Sequence, residues 1–311
     1  MKLNSLRVYK DIVGTFNHVP TISISRKIIP YLFLLPSLLG LFLFRFYPII
    51  LNFYGSVYRT SYSSQGETSI FAGLSNYIDL YYDPVFWNSL KVTFILNLFI
   101  NPIQITMALI IALLIKENTL FNRISRTLFL LPLGVSITIS SSIWKILLNQ
   151  SYGLVNGILE FLSIPSQPFL TSQNQAIWCI ILVASWCGIS YWMIFFLVGL
   201  QEIPNELYES AKIDGSNNWN TFWKITLPLL KRTILFVTVA DTSANFLLFV
   251  PIYMLTNGGP NMSTDTLMYE VYSSAFIYSD FRRSLTLSSV LLMILLMVIF
   301  FEFKMISKKD Q

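Results

Sequence analysis

The 311 residues are 54% hydrophobic and 15% aromatic, with only 12% charged side chains and a mean hydropathy of +0.60. A water-soluble domain carries about twice that charge fraction, so the composition excludes the soluble globular classes and points to a chain that crosses a membrane repeatedly. The net charge of +5 implies no nucleic-acid partner, because a membrane topology explains where the basic residues fall.

Residues 1–27 read as a polar-to-mixed tail with Lys2, Arg7, Lys10, Arg26, Lys27 and the single histidine, His18. A tail histidine is a solvated side chain, and no cysteine–histidine spacing suits a metal. The apolar run from Ile28 exceeds a signal-peptide core and lacks a small-residue cleavage site, so it reads as an uncleaved first span. A span needs about 20 mostly apolar residues. Six runs qualify: 28–51, 90–115, 127–148, 176–200, 234–256 and 285–303. The expected fold is an all-α polytopic membrane protein, with a six-helix domain over 28–303 and a second tail at 304–311.

Lysine and arginine orient the spans. The N-terminal tail, the 116–126 loop (Lys116, Arg123, Arg126), the 201–233 loop (Lys212, Lys224, Lys231, Arg232) and the C-terminal tail (Lys304, Lys308, Lys309) share one side. Arg59, Arg282 and Arg283 are on the other. Both termini and the 201–233 loop are therefore expected to be cytoplasmic, with outer loops at 52–89, 149–175 and 257–284. Pro36, Pro48, Pro102 and Pro132 interrupt or bound apolar runs, and each removes a backbone donor. Asn97, Asn101 and Gln104 add polar groups around Pro102, which should face other helices or a wet cavity. Cys179 and Cys187 are eight residues apart in one span, too far to bridge along one helix, and read as small buried apolar residues.

The stretch from Tyr208 to Pro228 is the longest polar interruption in the second half. Asn205 is placed as an N-cap, with Glu206 and Glu209 in the first turn, where negative charge suits the helix dipole. Asp214-Gly215 stops that helix, and a second starts at Asn217. Trp219, Phe222 and Trp223, at i, i+3 and i+4, make one apolar face, and Pro228 ends the segment. Such a helical hairpin has no core of its own. It either docks onto a partner or lies on the lipid surface.

Inside the spans, Arg45, Lys91 and Lys145 lie near outer ends and can snorkel, and Glu302 lies at an inner end with no special role. Asp241 sits about two turns into the fifth span, where an isolated carboxylate costs at least ~2.5 kcal/mol. Asn245 is one turn further on the same face. The pair serves either a cavity or a helix–helix clamp. Enzyme chemistry finds no support: one histidine excludes HExxH zinc chemistry, and there is no GxxxxGK[ST] phosphate loop. Gly258-Gly259-Pro260 is a turn.

Glu209, Ser210, Ala211, Asp214, Gly215, Ile225, Leu227 and Pro228 resemble the EAA motif of ABC-importer permeases, with Ser210 in place of the first alanine. The resemblance extends to Gly73-Leu74 with Asn76-Tyr77, to Asp83-Pro84 with Phe86-Trp87, to Arg126-Thr127 with Pro132, Trp144 and Gly153, and to Leu255-Thr256 with Gly258-Gly259-Pro260 and Thr264. These look like the carbohydrate-uptake permeases of the maltose and glycerol-3-phosphate type.

The resemblance implies a type I importer fold in a bacterial or archaeal cytoplasmic membrane. It implies a second, related permease subunit, a dimeric ABC ATPase and an extracytoplasmic solute-binding protein as partners. ATP and Mg would be held by the ATPase, leaving no cofactor on this chain. The motif residues would couple to the ATPase. Gly188 and Tyr191 before the hairpin, and Asp241 and Asn245 after it, would contact the sugar. Leu248 and Asp241 depart from the family's pattern there. The rival reading is an ion-coupled secondary transporter that uses Asp241.

Overall fold

A computed structural model describes residues 29–63 and 66–307. The expected tail at 1–27 and residues 308–311 lie outside the described residues. The chain divides into two compact units, Met1–Leu51 and Asn52–Gln311.

In the first unit, helix α1 (Ile29–Leu41) contains Pro36 and runs into a π-helical turn, Phe42–Phe46. Helix α2 (Tyr47–Ser56) follows, and Pro48 is its second residue. Proline has no N–H to give to the carbonyl four residues back, and the chain widens just before it: the Tyr47 N–H bonds Phe42 O, an i→i−5 bond. The same device recurs at Pro228.

The second unit takes in the end of α2 from Asn52 and continues into an antiparallel ribbon, β1 (Tyr58–Ser63) and β2 (Gly66–Phe71), with Arg59 opposite Ile70. This two-stranded ribbon lies in a segment expected to be only a loop. Helix α3 (Ser75–Tyr81) leads to α4 (Pro84–Leu114), whose start is fixed by Pro84 and by Asp83, which accepts a hydrogen bond from the Val85 N–H. Then come α5 (Leu120–Leu130), α6 (Ile137–Leu147), α7 (Leu154–Phe161) and α8 (Ala176–Gln201). The helical hairpin is α9 (Asn205–Ile213), α10 (Asn218–Thr221) and α11 (Leu227–Leu229), with a π-turn at Phe222–Thr226. Last are α12 (Lys231–Phe246), α13 (Val250–Leu255), α14 (Leu267–Tyr272) and α15 (Phe281–Ser307).

Five helical stretches are long and apolar enough to span a bilayer: Tyr31–Ser56, Pro84–Leu114, Ala176–Gln201, Lys231–Leu255 and Phe281–Met305. The expected third span, 127–148, is not straight. Leu120–Gly134 and Ile137–Leu147 meet at 95°, and only if this pair counts as one span are there six. Pro132 tightens Leu131–Gly134 into a 3-10 turn, and Ser136, in an extended conformation, caps α6 by accepting from the Ile139 N–H. The last helix runs to Ser307, past the expected boundary at 303.

Helix α4 packs along α8, and α12 lies against α4, α8 and α15. One apolar cluster holds Ala108, Ile111, Phe196, Leu200 and Leu230 at the helical-hairpin end. A second, with Val92, Leu96, Ile180, Val183 and Ile252, lies toward the β-ribbon end. A third joins Phe86, Phe246, Leu267, Leu287 and Leu291. The main polar network lies between the first two.

Candidate functional site

That network starts from two amide side chains flanking Pro102 in α4. Gln104 donates to the Ala184 carbonyl at 2.9 Å, tying α4 to α8. Gly188, one turn after Ala184, leaves the room: a Cβ there would lie 2.3 Å from the Gln104 amide nitrogen. Asn245 Nδ2 donates to Asn101 Oδ1 at 2.7 Å and to Asp241 Oδ1 at 2.9 Å. The Trp192 indole N–H also donates to Asp241 Oδ1, at 2.6 Å. Asn101 Nδ2 donates to Thr242 Oγ1, whose hydroxyl in turn donates to Glu302 Oε1 at 2.7 Å. Four helices are thus joined by side chains that would be costly against lipid. Asp241 is 1% exposed, and its Oδ2 has no hydrogen-bond partner, nor has Oε2 of Glu302.

Of the four residues singled out for substrate contact, Gly188, Asp241 and Asn245 meet in this constellation, and Tyr191 lies beside it. Asp241 and Asn245 are bonded to each other, and Gly188 backs onto Gln104. The ring of Tyr191 lies 4.8 Å from that of Trp192. Tyr191 is exposed, whereas Asp241 and Asn245 are buried among their own helices. In this conformation the pair therefore clamps helices. Glu302, read from the sequence as a helix-end residue with no role, belongs to the network. Its partner is sixty positions away in the chain, a separation no local pattern reveals.

At the helical-hairpin end, the Ser216 N–H bonds Ala211 O at 2.9 Å, and the Gly215 N–H bonds Lys212 O at 3.1 Å. Gly215 sits at φ +74°, the left-handed region, with nothing within 4 Å of an added Cβ. Asn217 caps the second helix, its side chain accepting from the Asn220 N–H at 2.8 Å. Asn205 does not cap the first: α9 starts at Asn205 itself, after Pro204, which has no side-chain donor or acceptor to offer. Nor does Pro228 end the segment. The π-turn at Phe222–Thr226 widens the helix so that the missing N–H is tolerated, and helical backbone runs on into α12.

Tyr208 and Thr226 hydroxyls, 3.2 Å apart, lock the two arms, and the Lys116 ammonium lies 4.6 Å over the Tyr208 ring. Arg126 donates to the carbonyls of Ile115, Lys116 and Glu117, closing the end of α4. Ala211 is buried, Ile225 and Leu227 are half-buried, and Glu209, Ser210, Asp214, Gly215 and Pro228 are exposed. Ile213, Trp219 and Trp223 are exposed large apolar side chains on the same segment.

At the β-ribbon end, an ionic latch escaped the sequence reading. Arg283 pairs with Asp83 at 2.6 Å and with Glu270 at 2.9 Å, joining the starts of α4 and α15 to α14. Ser89 donates to Asp265 Oδ2 at 3.1 Å, and Thr93 Oγ1 accepts from the Leu267 N–H at 2.9 Å. Burial first, and then the neighbouring Glu270 carboxylate, push Asp265 up to about 7 against the pull of Ser89 and Arg283.

Comparison with known proteins follows the same outline. Residues 104–306 match the family described as binding-protein-dependent transport system inner membrane component. The sn-glycerol-3-phosphate transport system permease protein UgpA of Agrobacterium fabrum is 33% identical over 284 residues, which cover 91% of this chain and 96% of that one. The lactose transport system permease protein LacF of Rhizobium radiobacter is 34% identical over 279 residues, covering 88% and 92%. A crystal structure of a bacterial alginate ABC transporter, in complex with an alginate pentasaccharide-bound periplasmic protein, superposes with a TM-score of 0.80 at 23% identity. It covers 91% of this chain and 95% of that one. A likeness at that identity speaks for the fold.

Proposed function

This chain belongs to the family of inner membrane components of binding-protein-dependent transport systems, and on that premise we propose that it is the permease subunit of an ABC importer for a sugar, polyol or glycerol-phosphate-like carbohydrate. It is a translocation component. In this reading a second, related permease completes the pathway, a dimeric ATPase binds the cytoplasmic face with ATP and Mg, and an external binding protein delivers the cargo. Both termini then lie in the cytoplasm.

The observation that carries the reading is the helical hairpin. Its arms are locked to each other and to α4 through Tyr208, Thr226 and Lys116, yet it leaves Ile213, Trp219 and Trp223 uncovered. A stiff element with an open apolar face can take up a partner's movement and pass it to the spans. Glu209, Ser210, Ala211, Asp214, Gly215, Ile225, Leu227 and Pro228 would form the coupling joint. Gly188, Tyr191, Asp241 and Asn245 would meet cargo once the helices part.

Replacing Gly215 by valine forces a β-branched residue into the left-handed region, at a cost of about 1–2 kcal/mol. The expected outcome is a permease that inserts normally but loses most ATP-driven uptake. A cysteine at exposed Ile213 should cross-link to the co-expressed ATPase. Uptake that persists without the ATPase and collapses with an uncoupler would instead support the ion-coupled alternative at Asp241.

A further inference from the structure

Taking the proposed function as given, we infer that this permease passes carbohydrates that carry no anionic group and that present hydrogen-bond donors, hydroxyl or ammonium, to Asp241 and Glu302.

The inference rests on where charge sits in four spans of the second unit, Pro84–Leu114, Ala176–Gln201, Lys231–Leu255 and Phe281–Met305. Lys91, Lys231, Arg232, Arg282, Arg283 and Lys304 all lie within about two turns of a helix end. Deeper in these four spans, the described charged residue is Asp241, and the network joins it to Glu302, five residues before the end of α15. Both are hydrogen-bonded through one oxygen only. Asp241 Oδ1 is used by Trp192 and Asn245, and Glu302 Oε1 by Thr242. Oδ2 of Asp241, Oε2 of Glu302 and the nearby amide oxygen of Asn97 are buried acceptors without a donor.

These three oxygens lack a donor, so what complements this wall is a donor. A phosphate or uronate brings acceptors and negative charge where a low local dielectric magnifies repulsion. A break in one wall places the network where it can open: the fifth span is interrupted at 247–249, just after Asn245. The exposed rings of Tyr191 and Trp186 supply flat surfaces for sugar C–H groups on the same helix.

The test uses the complete importer, with its own binding protein, in proteoliposomes. It is offered a mixture of mono- to trisaccharides in four forms: neutral, glucosamine-containing, uronate and phosphorylated. Solute accumulated with ATP is identified by mass spectrometry, and each rate is divided by the occupancy of the binding protein, which separates the permease's choice from its partner's. Neutral or amino sugars should accumulate and the anionic forms should not. A bias toward the amino forms would assign the donor as ammonium, and toward the neutral forms as hydroxyl. Asp241→Asn with Glu302→Gln should raise the anionic-to-neutral rate ratio roughly tenfold. Anionic sugars moving as fast as neutral ones, or alone, would overturn this inference while leaving the importer reading intact. An unchanged ratio in the double variant would overturn the role given to the carboxylates. Accumulation of no carbohydrate at all would remove the importer reading itself.

Discussion

Gly188 shows how a residue's type can be right for a reason other than the one its sequence suggests. Resemblance places it at a sugar contact, but the atoms beside it are those of the Gln104 amide, all within 2.6 Å of where a Cβ would stand. Gly188→Ala should force Gln104 out of its bond to Ala184 O and lower thermal stability by about 1–3 kcal/mol. The double variant Gly188→Ala with Gln104→Ala should regain most of that loss, because the colliding amide is gone. Melting curves of the purified permease measure both. Full additivity of the two losses would show that the two side chains do not meet. Asp241 was legible as a buried acid from its place in an apolar run. Its bond to Trp192 was not, because the two lie 49 positions apart on different helices.

At the scale of elements, the segment from Gly258 to Tyr272 hangs on α4 by Ser89–Asp265, by Thr93 with the Leu267 N–H, and by Asn88 with Met262 O. Asp265 is the titrating member. Its carboxyl is raised from 3.8 to about 7, so the attached form binds more protons than the detached one. Attachment is then strongest at acid pH, and it weakens as pH rises from about 4 through about 7. Hydrogen exchange over this segment should quicken between pH 6 and pH 8 beyond the intrinsic base-catalysed rate. Asp265→Asn should remove that excess. A flat profile in the native chain would mean that Ser89 and Arg283 already hold Asp265 ionised throughout. The helical hairpin contrasts with this latch: its glycine turn and Asn217 cap are local chemistry and were readable in advance, while the π-turns before Pro48 and Pro228 were not. Proline announces a missing N–H but not which way the helix absorbs it.

For the whole molecule, the topology proposed from the distribution of lysine and arginine has the helical hairpin and both termini in the cytoplasm and the β ribbon outside. Ile213 and Tyr82 are among its well-exposed side chains, on the helical hairpin and beside the start of α4. A membrane-impermeant maleimide applied to intact cells should label Tyr82→Cys and spare Ile213→Cys, and permeabilised cells should reverse only the second result. The opposite pattern would invert the topology and with it the placement of the ATPase.

Read alone, the sequence determined the membrane class, six apolar runs of which five match membrane-length helical stretches within a few residues, the helical hairpin with its glycine turn, and the buried acid in the fifth span. These follow from hydrophobic run length and from turn and cap chemistry, which act over a few neighbours. The tertiary structure decided that the third crossing is a pair bent by 95°, that Glu302 joins Asp241 through Thr242, and that Arg283 bridges Asp83 and Glu270. Each of these depends on which helix faces which. Helices in a bilayer are matched by packing of small residues and by polar side chains that must find one another across the bundle, a pairing that one chain's local pattern does not encode.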